Sequence, residues 1–267
     1  MKWFFRLTSY AVLILMFSVI VLIILPGVRY FFRPGFFTDF PRASMTEGGV
    51  FPSIFGSLIL ISLVFVIVIP VGLLGSIFIA EFSSKRLSVV LQSLAGTMNS
   101  IPSIVYGLFG LSFFCVNLGL RTSLISASLT LSTMAIPFFI NSAVEFLRSV
   151  PKELREGVIA LGANRFETTL MVIRSSKNGL LTTLMLTLGR AFSETAPILI
   201  TGAVFYATKL PSKLTDPIMT LPTSIYAIIM NLGETARWMA QGMASMMTLV
   251  MIVIYSIVQI LRRRTNG

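Results

Sequence analysis

Two opposite charges stand four residues apart inside a long apolar run: Arg190 and Glu194, in Gly189-Arg190-Ala191-Phe192-Ser193-Glu194-Thr195-Ala196-Pro197. On a helix that spacing puts both on one face. A charge at the centre of a bilayer costs about 2.5–3.5 kcal/mol even on the lenient insertion scale, so such residues turn away from lipid. Two roles fit. The pair either locks a helix to its neighbours, or Arg190 helps carry an anion while Glu194 acts as counter-ion when the path is empty. The Arg-before-Glu order is the weaker orientation within a helix, which leaves Arg190 open to a competing partner. The hydroxyls of Ser100, Ser103 and Tyr106, around Pro102, are candidates for lining the same path. Their alternative role is to satisfy backbone groups freed by a proline-broken helix.

Much other chemistry is excluded. The chain has no histidine and one cysteine, Cys115. A disulfide within the chain is impossible, and metal sites built from histidines or several cysteines are ruled out. Serine–histidine and cysteine–histidine catalysis lack their base. Cys115, in an apolar run, reads as a small buried hydrophobe. A membrane-embedded enzyme would need clustered carboxylates or histidines, and Glu194 is the one acid deep in an apolar run. No Walker-type phosphate loop occurs, so the chain is expected to bind no cofactor or metal and to hydrolyse no ATP itself.

The elements that must position these residues follow from composition. Of 267 residues, 55% are apolar and 12% charged, against about 25% charged in a soluble domain. The solvent is lipid. Six runs approach the roughly 20 apolar residues of a spanning helix: about 10–25, 54–80, 89–115, 123–146, 179–205 and 239–261. The fold class is therefore an all-α integral membrane protein with about six transmembrane helices. The fourth run is rich in Ser and Thr, whose hydroxyls can bond back to their own helix. Pro70, Pro102, Pro137 and Pro197 are expected to kink or interrupt their helices. Lys2 and Arg6 precede the first run as in a signal peptide, but that run exceeds the usual 7–15 residues and no small-x-small cleavage site follows. It reads as a retained span.

The net charge of +11 lacks the interleaved aromatics of a nucleic-acid face. The basic residues lie between the runs and set orientation instead. With the N-terminus inside, thirteen of them, including Lys2, Arg6, Lys85, Arg86 and Arg262–Arg264, fall in inner segments and seven in outer ones. The excess places both termini in the cytoplasm. Trp3 and Trp238 suit headgroup anchors. The first outer loop, about 26–52, is expected along the interface, and Thr220–Tyr226 reads as a re-entrant or interfacial segment.

The largest inner loop, about 148–178, has a definite pattern. Pro151 suits a first helical turn, Lys152–Leu161 reads as a short helix with Leu154, Val158 and Leu161 on one face, and Gly162 stops it. Asn164 with Glu167 three residues on is a capping signal for a second helix. A helix–glycine–helix unit of this kind suits protein docking.

That loop resembles the cytoplasmic loop of ABC importer permeases, whose pattern is Glu-Ala-Ala, three residues, Gly, nine residues, Ile-x-Leu-Pro. Glu156, Gly157 and Val158 stand at the opening triplet, Gly162 at the glycine and Val172 at the isoleucine; Arg174-Ser175 replaces Leu-Pro. Gly48-Gly49, Ile101-Pro102-Ser103-Ile104-Val105-Tyr106-Gly107, the Gly189–Pro197 segment and Thr220–Tyr226 are similar to the PstA-type phosphate permeases. The resemblance spans about 48–264, a MetI-like permease domain following a first helix and outer loop over 1–47. It implies a type I importer permease in a bacterial or archaeal cytoplasmic membrane. It implies, too, a second homologous permease, two ATPase subunits that bind ATP and magnesium, and an extracytoplasmic phosphate-binding protein. Glu156, Leu161, Gly162 and Ala163 would belong to the coupling helix that seats in the ATPase. Arg190, Glu194, Ser103 and Tyr106 would belong to the substrate pathway. A permease for another oxyanion, molybdate or sulfate, keeps every physical argument and fails only on these segments.

Overall fold

The computed structural model describes residues 1–263. Arg264, counted above among the inner charges, lies outside them. Four described helices are long and apolar enough to cross a bilayer: α1 (Lys2–Val28), α2 (Phe51–Ile77), α5 (Leu124–Arg148) and α11 (Arg237–Arg263). Between them lie α3 (Lys85–Asn99), α4 (Ser103–Gly110), α6 (Lys152–Ala160), α7 (Arg165–Ser175), α8 (Lys177–Ser193), α9 (Ala196–Thr201) and α10 (Leu221–Asn231). A hairpin of two-residue strands, β1 (Pro41–Arg42) and β2 (Glu47–Gly48), follows α1.

Every one of the six apolar runs is helical, but two are not simple rods. The third is the pair α3 and α4, bent by 94° at Ser100–Pro102. Pro102 cannot donate to the preceding turn and its ring disfavours helix just before it. The fifth is broken. At 17 residues, α8 is about 26 Å long, short of the roughly 30 Å hydrocarbon core. The chain then leaves the helix at Glu194 and Thr195 before α9 begins. A continued helix would drive the Pro197 ring into the Ser193 carbonyl one turn back. Pro70 and Pro137, by contrast, sit inside unbroken helices.

The fold comprises two compact units. One contains Met1–Ser57, Val204–Pro211 and Ile218–Ile252. In it α1 crosses α11 at Gly27, where a Cβ would overlap Ser245 and the Gln241 carbonyl. The Ser245 hydroxyl donates to the Ile23 or Ile24 carbonyl at 2.9 and 3.1 Å. Trp238, in the first turn of α11, donates its indole N–H to the Thr46 carbonyl at 3.2 Å and carries Arg33 over its ring at 4.1 Å. The Thr220–Tyr226 segment opens α10, capped by Thr220 with Thr223. Eleven residues make about 16 Å, too short to cross.

The other unit contains Leu58–Ala203, Ser212–Pro217 and the segment from Val253. Its centre is α5, the most enclosed of the four spanning helices. That enclosure is why α5 tolerates so many hydroxyls. They bond back one turn, Ser128 to the Leu124 carbonyl and Thr130 to the Ser126 carbonyl, both at 2.7 Å. The free N–H groups that open any helix are met here by the last carbonyl of α9, Thr201, for Ser123 at 3.0 Å, and by two loop carbonyls, Asp216 for Leu124 at 2.8 Å and Leu214 for Ile125 at 2.9 Å.

Candidate functional site: a helix-end cation and an exposed loop

Arg190 and Glu194 do not form the pair that their spacing predicts. Arg190 sits in the last turn of α8, but Glu194 has left the helix, with φ −72° and ψ 135°. The shared face therefore ends at Ser193, and among the described residues no ion pair joins the two. This corrects both the helix-locking ion pair and the expectation that Glu194 is the counter-ion of Arg190 in an empty path, and the cause is the Pro197 break. Arg190 is held differently. Its guanidinium lies 5.2 Å from the centre of the Phe138 ring of α5, within the range of a cation–π contact. It also stands at the negative end of the α8 dipole, which favours a cation.

Tyr106 belongs to α4. The next residue of α4, Gly107, packs on Pro197 just beyond the α8 end that carries Arg190, so these two of the four pathway candidates lie on neighbouring elements. The Tyr106 hydroxyl, however, donates to the Met98 carbonyl at 2.9 Å, across the α3–α4 bend. It does what a proline-broken helix requires of it. Ser103 is half-buried in the first turn of α4, and the exposed Ser100 hydroxyl bonds back to the Gly96 carbonyl at 3.4 Å. Gly107 lets α4 lie against α9, with a Cβ there only 3.1 Å from the Pro197 Cα. The arrangement presents a partly accessible guanidinium, free of any carboxylate among the described residues, beside an aromatic ring. It can attract an anion.

The loop of α6 and α7 forms as its sequence foretells. Gly162 adopts φ +90°, a backbone conformation natural to glycine alone, and turns the chain between the two helices. Asn164 and Glu167 make a reciprocal capping box at 2.9 and 2.8 Å. Glu156, Leu161 and Gly162 are exposed and Ala163 is half-buried. Leu161 is 88% and Phe166 72% exposed, with Leu154 and Ile159 beside them in the exposed class. Large apolar side chains so exposed among charged residues can serve as an interaction surface.

Sequence reasoning missed the residues that hold this loop. Glu81 lies in a π-turn, Phe78–Phe82, that ends the second apolar run. Both of its carboxylate oxygens are 2.7 Å from Arg155 Nη1 of α6. Arg155 Nη2 donates to the Leu147 carbonyl at 2.7 Å, and Arg165 Nη2 of α7 donates to the Glu81 carbonyl at 2.8 Å. A cavity of about 340 Å³ lies beside this cluster, lined by Glu81, Arg155, Arg165, Ile159, Ala163 and Thr168 among others. The one signal available was an acid among basic residues at the end of a span. Its partner lies 74 residues away, beyond any local pattern.

Residues 72–267 match the family described as Binding-protein-dependent transport system inner membrane component. Phosphate transport system permease protein PstA 1 of Mycobacterium tuberculosis is 28% identical over 225 residues, 83% of this chain and 73% of the relative. The probable phosphate transport system permease protein PstA of Methanocaldococcus jannaschii is 29% identical over 250 residues, 93% of this chain and 87% of the relative. Phosphate transport system permease protein PstA of Xylella fastidiosa is 32% identical over 200 residues, 74% of this chain and 68% of the relative. Among solved structures, a chain of the inward-facing MetNI methionine ABC transporter superposes with a TM-score of 0.56 over 81% of this chain and 93% of its own. At 20% identity that likeness is one of fold.

Proposed function

This chain belongs to the family of binding-protein-dependent transport system inner membrane components, and we propose that it is the permease subunit of an ATP-driven importer that moves inorganic phosphate into the cytoplasm. The observation that carries the reading is Arg190, a cation kept in an apolar stretch by a ring and a helix end rather than by a carboxylate. A group held so can exchange its weak partners for a passing oxyanion, which offers charge-assisted bonds about twice as strong as neutral ones. The names of the relatives above point to phosphate among oxyanions. ATP is turned over by partner subunits, for which the exposed Leu161 and Phe166 on either side of Gly162 are the docking face. A second permease and an extracytoplasmic binding protein complete the importer, and both termini of this chain are cytoplasmic.

The test is uptake of radiolabelled phosphate by a strain lacking this subunit and complemented with it. Wild type restores uptake, which excess unlabelled phosphate competes away while sulfate and molybdate do not. Arg190→Gln, at normal membrane abundance and with normal recovery of its partners, lowers uptake by about tenfold or more, the effect of losing roughly 1.4 kcal/mol of interaction in transit. Competition by sulfate or molybdate instead would reassign the cargo. An unchanged maximal rate and half-saturation in Arg190→Gln would remove Arg190 from the path.

A further inference from the structure

The cluster around Glu81 does more than satisfy a buried charge. Glu81 and Arg155 are only 10% and 21% exposed, and three elements end on them. The first is the π-turn after α2, which holds Glu81. The second is the last turn of α5, whose Leu147 carbonyl receives Arg155. The third is α6, which supplies Arg155, with Arg165 at the start of α7 closing the far side and stacking 4.7 Å over the Phe82 ring. Arg148 adds a tie between the same ends, donating to the Ser88 hydroxyl and, at 3.4 Å, to the Ile79 carbonyl within the π-turn. Beneath them Leu147, Val150 and Val172 form a buried apolar cluster with Ile77 and Ala80 packed against it.

Glu81 therefore binds the loop through its side chain and its own carbonyl at once. A π-turn closes its hydrogen bond over one more residue than an α-helical turn does and recurs at functional sites. We propose that Glu81 and Arg155, braced by Arg165, are the positioning residues that couple the α6–α7 loop to the π-turn of α2, so that a displacement of the loop by the ATPase is delivered to a membrane-spanning helix. The inference rests on the docking role given to the loop above. This guanidinium suits the task because its two ends are held at once, Nη1 by both Glu81 oxygens and Nη2 by the Leu147 carbonyl, which fixes direction as well as distance, whereas the apolar cluster below it would let the elements slide. Glu156, the next residue of α6, is exposed and stays available to the partner.

The experiment uses the whole importer in proteoliposomes and measures phosphate moved per ATP hydrolysed, alongside recovery of the ATPase subunit in pull-downs. Glu81→Gln keeps the shape and one acceptor oxygen but removes the charge. It is expected to leave ATPase recovery and ATP hydrolysis close to wild type while phosphate moved per ATP falls about five- to tenfold, the range of an ordinary coupling free energy. Arg155→Lys, which cannot reach both Glu81 and the Leu147 carbonyl, is expected to behave alike, and Glu81→Asp to recover most of the ratio. Uptake and hydrolysis falling together in proportion to abundance would make the cluster merely structural and overturn the proposal, as would an unchanged ratio in both Glu81→Gln and Arg155→Lys. The docking role fails separately: Leu161→Glu with full ATPase recovery would remove it without reference to Glu81.

Discussion

Arg190 shows how a single proline redirects a residue's chemistry. Spacing alone makes Arg190 and Glu194 neighbours, and the interruption at Pro197 was legible in the sequence. Its consequence one turn earlier was not, because counting the run as one span carried helical geometry straight through Glu194. Tyr106 was legible in both its readings, and its hydroxyl does make the backbone bond, to the Met98 carbonyl, that one of them expects. Asp216 offers a residue-scale prediction of another kind. The backbone N–H of Lys213, that of Ser212 and the Ser212 hydroxyl donate to its Oδ2 at 2.9, 2.8 and 3.1 Å and hold its carboxyl below the ordinary carboxylate value. Since the folded value is depressed, the contribution of these bonds is fully present above the unfolded value of about 3.9 and is lost as pH falls through the folded one. Hydrogen exchange of the 212–217 turn is expected to stay constant, after correction for intrinsic rates, from neutral pH to about 5, and to show loss of protection only below the unfolded value. Asp216→Asn should remove that pH dependence; loss of protection already near pH 6 in the wild type would contradict the assignment.

At the scale of elements, the α6–Gly162–α7 unit was the most readable part of the chain. Proline, glycine and an Asn–Glu capping pair each specify backbone geometry locally, and α7 begins where the pair says it should. The π-turn at Phe78–Phe82 was unreadable, because nothing in its residues departs from helical preference; what holds it is Arg155 and Arg165, far along the chain. Gly162 carries the element-scale prediction. No atom lies within 4 Å of where its Cβ would stand, so Gly162→Leu meets no overlap, only the strain of a side chain at positive φ, about 1–3 kcal/mol. The variant should reach the membrane at normal abundance and rewind the turn between the helices, with reduced ATPase recovery in pull-downs and loss of uptake. Normal recovery together with normal uptake would leave the loop a plain connector.

For the molecule as a whole, hydrophobic run length located the helical segments, since in lipid a backbone has few alternatives to being helical, but of about six expected spans four are long and apolar enough to cross, or five if the bent α3–α4 pair counts as one. It did not distinguish a rod from a bent pair or from the broken α8–α9, because those depend on where a proline finds a neighbour to fold against, as Gly107 of α4 does for Pro197. The orientation inferred from the basic residues has a direct test in a Cys115-free background. A cysteine at Ser84, exposed at the start of α3, should be shielded in intact cells from a membrane-impermeant thiol reagent. One at Ser212, exposed beside the Asp216 turn, should be labelled. The reverse pattern would invert the chain; Thr265, the natural third site, lies outside the described residues.

The 74 residues between Glu81 and Arg155 also set a clock for biosynthesis. A ribosome adding about 5–20 residues per second releases Glu81 some 4 to 15 seconds before its partner exists. Throughout that interval α2 is already made, its terminal acid has no arginine to receive it, and the Phe78–Phe82 segment is free to stay an ordinary α-helix. If Arg155 and Arg165 are what turn Phe78–Phe82 into a π-turn, that turn forms late, on a finished helix, when α5 is complete and α6 arrives. A chain stalled between Phe82 and Arg155 should hold a straighter, longer α2 than the mature protein does. The last step in shaping α2 would then belong to a segment made 74 residues later.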